Sequence, residues 1–159
     1  MITLRNIEKT YQTENNTTTI LSKQSLSINT NASIAITGPS GSGKSTILRL
    51  IAGLEPPSSG EVLVHNQSLY SLTDQERADI RRQHFGFIFQ SFRLFPQLTV
   101  FENVQLACDI AQISSSKDTA LKWLGEVNLL KQQHQKPDTL SGGEQQRVAI
   151  ARALATNPS

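Results

Sequence analysis

Cysteine occurs once in 159 residues, at Cys108. That excludes a disulfide framework, and without CxxC or HxxxH spacing no dedicated zinc site is expected. Long apolar runs are missing too. The longest is the tetrapeptide Val148-Ala-Ile-Ala151, whereas a bilayer-spanning helix needs roughly 20 such residues. Met1-Ile-Thr-Leu-Arg-Asn6 has no basic start followed by an apolar stretch, so no secretory leader is expected. Charge is nearly balanced, 15 Lys and Arg against 13 Asp and Glu, with no basic cluster longer than Arg81-Arg82. A nucleic-acid-binding stripe is therefore not expected. His65, His84 and His134 stand far apart, without ligand spacing. Aromatics are sparse, yet Leu, Ile, Val and Phe supply 43 residues, just over a quarter of the chain. Globally disordered chains fall below about 20%. The length fits one domain or part of one, and a soluble cytoplasmic chain is the default expectation.

What is present is organised by period. Ile2–Leu4, Ile20–Leu21, Leu26–Ile28 and Ser33–Thr37 read as short strands, with Asn15–Thr19 as a polar hairpin tip. After a glycine-rich stretch, Ile47, Leu50, Ile51 and Leu54 follow i, i+3, i+4, i+7 and predict a helix with one apolar face. Pro56-Pro57 stops it, and Glu61–His65 reads as a strand. Thr73, with Glu76 three residues on, predicts a capped helix to about Arg82. Phe85–Phe89 reads as a compact buried strand ending at Gln90. Helices are expected over about Thr99–Ala111 and Lys117–Val127, then a polar connector, then a last helix from near Gly143.

Gly38-Pro-Ser-Gly-Ser-Gly43-Lys44-Ser45 fits G-x-x-x-x-G-K-[ST], placed between a predicted strand and a predicted helix. Polyphosphate needs many donors at short range. Glycines let consecutive backbone N–H groups turn inward, and the helix that follows adds its positive end. Lys44 is expected to reach the β- and γ-phosphates, and the Ser45 hydroxyl to ligate Mg²⁺. A second motif, Leu140-Ser141-Gly142-Gly143-Glu144, opens the last helix. It offers another hydroxyl and more unobstructed N–H groups, and on its own reads equally well as an ordinary helix cap.

The fifteen residues Leu140-Ser-Gly-Gly-Glu-Gln-Gln-Arg-Val-Ala-Ile-Ala-Arg-Ala-Leu154, downstream of the glycine loop, resemble the signature of ABC-type ATPases, the nucleotide-binding subunits of ABC transporters. Residues Ser71–Arg82 and Phe85–Val104 are most similar to the lipoprotein-releasing, macrolide-export and cell-division branch. The resemblance covers essentially the whole chain. It implies an α/β fold, a P-loop NTPase core with an N-terminal antiparallel β-subdomain and an α-helical signature subdomain at about residues 91–143. ATP and Mg²⁺ are the implied cofactors. Gly38, Pro39, Ser40, Gly41, Ser42, Gly43, Lys44, Ser45 and Thr46 are the implied nucleotide-binding residues, with Ser45 and Gln90 on the metal.

By the same resemblance, Tyr11 matches the aromatic on which adenine stacks, and Gln90 the glutamine that senses the attacking water and the membrane subunit. Read without it, they are an aromatic packed on a strand and a surface amide. Ser141, Gly142 and Gly143 would contact the γ-phosphate held by the partner in a head-to-tail dimer, and Phe92, Leu94, Phe95 and Leu98 would line a groove for a permease helix. The implied partners are a second ATP-binding subunit and a transmembrane permease, with no nucleic acid, at the inner face of the membrane. The metal-holding Asp and catalytic Glu of the family lie on a strand that would follow Pro158-Ser159, so a chain shortened before its last core strands is expected, one that does not hydrolyse ATP alone. A soluble relative acting on nucleic acid or the ribosome, and a non-hydrolysing binding module, remain the alternatives.

Overall fold

The computed structural model describes residues 1–13 and 16–158. They form two compact units, Met1–Ala78 and Asp79–Ser159.

The first unit is built on an antiparallel sheet of order β2-β1-β3-β4, with β1 (Ile2–Thr13), β2 (Asn16–Ile28), β3 (Ser59–Val64) and β4 (Gln67–Ser68). Leu4, Ile7, Leu21, Val62, Leu63 and Val64 are buried. The two leading strands are longer than the sequence suggests, because Ile20–Leu21 and Leu26–Ile28 belong to one continuous β2. Asn16–Thr19 do not form a turn. They pair with Thr13–Thr10, while Asn15 of the expected tip lies outside the described residues. The ladder shifts register near Asn6, whose φ of 46° turns the chain locally left-handed. Gly60 sits against that bulge. Its own φ is +86°, and a Cβ there would lie 2.4 Å from the Asn6 carbonyl oxygen, so only glycine fits. Helix α1 (Lys44–Ile51) follows the glycine loop as expected, burying Thr46, Leu50 and Ile51. Leu54 is outside it and exposed, because the helix closes at Ala52 before the fourth position of the apolar series.

Helix α2 (Asp74–His84) begins at the expected capping box: Glu76 N–H donates to Thr73 Oγ1 and the Thr73 N–H returns to Glu76 at 2.8 Å. The second unit contains α3 (Val100–Ile110), α4 (Ser116–Glu126) and α5 (Gly142–Ala155). Val100, Val104 and Cys108 of α3 meet Ala120 and Leu124 of α4 and Val148, Ala151 and Ala155 of α5 in one core. The small residues on α5 allow the helices to approach closely. The connector expected before α5 carries single 3₁₀ turns at Leu130–Gln132 and Pro137–Thr139.

Two expected strands are not strands. Residues Ser33–Thr37 and Phe85–Phe89 are without a ladder among the described residues. Their β-like composition is real, and Phe85, Phe87 and Phe89 lie in sequence with successive ring centroids 6.0 Å apart, as alternate residues of an extended chain do. Composition supplies extension, but a strand also needs a neighbour for its N–H and C=O groups.

Candidate functional site

The glycine loop turns on backbone conformations that favour glycine. Gly41 and Gly43 have φ of 81° and 86°, and at Gly43 a Cβ would also meet the Leu21 side chain at 2.9 Å. Gly43 is the N-cap of α1, and its carbonyl accepts from the Ile47 N–H at 2.9 Å. The N–H groups of the first turn therefore have no earlier helical carbonyl to bond and face the loop. Lys44 Nζ donates to the carbonyls of Gly38 at 2.9 Å and Pro39 at 2.6 Å, which holds its ammonium inside the loop. Ser40–Thr46 line a concavity of about 490 Å³ whose walls are completed by Tyr11, Ile20 and Arg49. The structure thus brings Tyr11 together with the expected phosphate-binding residues, although they are far apart in sequence. Ser45 is exposed there, whereas Thr46 is buried.

Beneath this wall is a pair that sequence reading missed. Lys9 Nζ lies 3.0 Å from Glu55 Oε1. Although partial burial of Glu55 works the other way, the bonds from Tyr11 and Lys9 hold its carboxyl below the usual range. The signal was present as a lysine two residues from Ile7, on the inward face of β1.

The second glycine motif belongs to the other unit. Ser141 is the N-cap of α5: its Oγ accepts from the Glu144 N–H and donates to Glu144 Oε2 at 2.7 Å, and the Ser141 N–H returns to that carboxylate at 2.9 Å. Bonds from the Ser141 hydroxyl and amide keep the Glu144 carboxyl below its ordinary range. Gly142 and Gly143 are exposed. A Cβ at Gly142 would meet nothing within 4 Å, and one at Gly143 only the tip of Arg147 at 3.9 Å. Among the described residues, no contact explains them.

Gln90 is exposed at the start of a turn closed by the Phe92 N–H on the Phe89 carbonyl. Phe92 and Arg93 follow in left-handed conformations, φ 58° and 47°. Arg152 of α5 holds them, donating to the Arg93 carbonyl at 2.6 Å and the Phe92 carbonyl at 2.7 Å. Of the four residues expected to line an apolar groove, Phe95 does so, in a concavity of about 370 Å³ with Phe85, Phe87, Phe89, Leu106 and Ile110. Leu94 instead packs against the helical core. Cys108 is a core residue: burial, with Asp109 beside it, pushes its thiol up from the ordinary value.

A glycine loop that opens a helix, an ammonium held inside it and an aromatic on the same wall define the class of P-loop nucleotide-binding proteins. The family described as ABC transporter matches residues 21–159, and the chain belongs to that family. It is 43% identical over 157 residues to the lipoprotein-releasing system ATP-binding protein LolD of Psychrobacter arcticus, covering 97% of this chain and 70% of that protein. It is 40% identical over 158 residues to the macrolide export ATP-binding/permease protein MacB of Bdellovibrio bacteriovorus, of which it covers 24%. Among solved structures, the ATP-binding cassette MJ0796, a dimer in a post-hydrolysis state bound to ADP and Pi, superposes with a TM-score of 0.91. That chain is 42% identical, with 99% of this chain and 71% of the other covered.

Proposed function

We propose that the chain is an ATP-binding subunit that takes Mg-ATP in the concavity of its first unit and pairs head to tail with a second copy to power a membrane permease. The observation that carries this reading is the shared wall of Ser40–Thr46 and Tyr11. The backbone N–H groups and Lys44 suit a polyphosphate, and the Tyr11 ring suits a base. The exposed Ser45 hydroxyl is the oxygen donor for Mg²⁺, an ion that would offset the charge of the β- and γ-oxygens.

Gly142 and Gly143 support the pairing. Each costs about 0.5–1 kcal/mol relative to Ala within a helix, and neither serves a close contact among the described residues, so the open helix end suits a phosphate carried by another copy. Residues 1–159 are read as one nucleotide-binding domain whose helical insert, about residues 91–143, carries the signature. Gln90 directly follows Phe89, which lines the apolar concavity around Phe95, a surface suited to a permease segment. No helix among the described residues is long and apolar enough to cross a membrane. By likeness to the ATP-binding proteins that the chain matches, the work is assigned to the cytoplasmic face, reached through the permease.

Titration of a fluorescent ATP analogue against wild type and Lys44→Ala tests the reading. Loss of the loop's ammonium is expected to weaken binding at least about tenfold; equal affinities reject the assignment.

A further inference from the structure

We propose that Lys9 is a positioning residue for the nucleotide base: its buried ammonium, pinned between Glu55 and the Pro56 carbonyl, holds the Tyr11 ring as a stacking platform at the rim of the phosphate-binding loop. The inference rests on the nucleotide-site reading above.

Along β1, Ile7, Lys9 and Tyr11 are alternate residues, and their exposure rises from 0% to 9% to 38% toward the loop. A lysine on the inward side of a strand loses hydration and persists only where its charge is matched. Here it is matched twice, by Glu55 Oε1 at 3.0 Å and by the Pro56 carbonyl at 2.8 Å. Both partners lie just beyond α1, the helix that the glycine loop opens. The pair therefore ties the strand carrying Tyr11 to the far end of the phosphate-binding helix.

The same ammonium lies 5.1 Å from the centroid of the Tyr11 ring, within reach of a cation–π interaction. Although partial burial of Glu55 works the other way, the Tyr11 hydroxyl helps Lys9 hold that carboxyl below its usual range. The ring thus carries the pinned cation on its face, more restraint than a solvated tyrosine requires. A ring so fixed, on the wall shared with Ser40–Thr46, stands beside the phosphates, where the base of a nucleotide must come. The cation draws π-density toward itself, which favours an electron-rich purine on the rest of the ring.

Affinities for Mg-ATP and for inorganic tripolyphosphate with Mg²⁺, measured by competition against a fluorescent ATP analogue, separate base from phosphate. Wild type is expected to prefer ATP. Lys9→Met should cut that preference about three- to tenfold with tripolyphosphate affinity unchanged, and in a Tyr11→Leu background the same change should have no further effect. A parallel loss of both ligands in Lys9→Met, or an unchanged ratio, overturns the proposal. Tyr11→Phe keeps the ring and removes the hydroxyl that acts on the Glu55 carboxyl. It should move the ratio in the same direction without threatening the fold, so an unchanged ratio there, together with an unfolded Lys9→Met, also overturns it. A wild type that binds both ligands equally removes the platform and leaves the phosphate site standing, whereas one that binds neither rejects the nucleotide site itself.

Discussion

Asn103 interrupts the apolar stripe of α3, between Val100 and Val104, and is 1% exposed. A polar side chain in that place is tolerable only with its bonds made. It accepts from the Phe95 N–H at 2.8 Å and shares its amide nitrogen among the carbonyls of Phe95, Leu98 and Thr99. One side chain thus supplies the partners that a strand or helix would give to an irregular segment. With Arg152 on Phe92 and Arg93, it defines the chain that leaves Gln90. Asn103→Leu keeps similar volume and strands these groups, so it should cost about 2–3 kcal/mol in urea unfolding. A loss below about 1 kcal/mol would mean that water reaches the abandoned groups.

The N-terminus of α5 would set stability against the proposed pairing. Its capping box stabilises the helix, whereas two glycines in the first turn weaken it. Because an added methyl meets open space at Gly142 and only the end of Arg147 at Gly143, alanine there should stabilise the free chain by about 0.5 kcal/mol per site. The same methyls would stand between this helix end and a phosphate on a facing copy. Gly142→Ala/Gly143→Ala should therefore melt higher than wild type yet fail to form an ATP-dependent dimer in sedimentation. An intact dimer peak would remove these glycines from the interface.

For the molecule as a whole, binding and turnover have different requirements. Among the described residues, none that lines the concavity proposed for phosphate is a carboxylate, so none of these can orient an attacking water by accepting its proton. Residues 1–159 by themselves are expected to bind ATP and to release phosphate at the background rate, so the proposed driving of a permease needs a water-orienting group from outside them. Turnover that depends on both Mg²⁺ and Lys44 would show that a carboxylate elsewhere in this chain does that work. Ile34 is 46% and Ile88 52% exposed, in extended segments that have no ladder among the described residues.

What could be read directly was whatever is decided within a few residues. The glycine loop, the helix it opens and the boxes Thr73/Glu76 and Ser141/Glu144 each close over three to eight positions, so their geometry is written where their residues are. The helices of the second unit were legible for the same reason, since a 3.6-residue period repeats locally. Strand pairing is not local. Ser33–Thr37 and Phe85–Phe89 have strand composition without a ladder among the described residues, while the polar Asn16–Thr19 lie in one because β1 runs alongside. The Lys9–Glu55 pair, the Tyr11 ring beside Ser40–Thr46 and the bonds of Asn103 to the chain after Gln90 depend on which distant backbone arrives next to them. Sequence sets which groups need partners; only the folded chain, by bringing remote residues within hydrogen-bond reach, selects the partners.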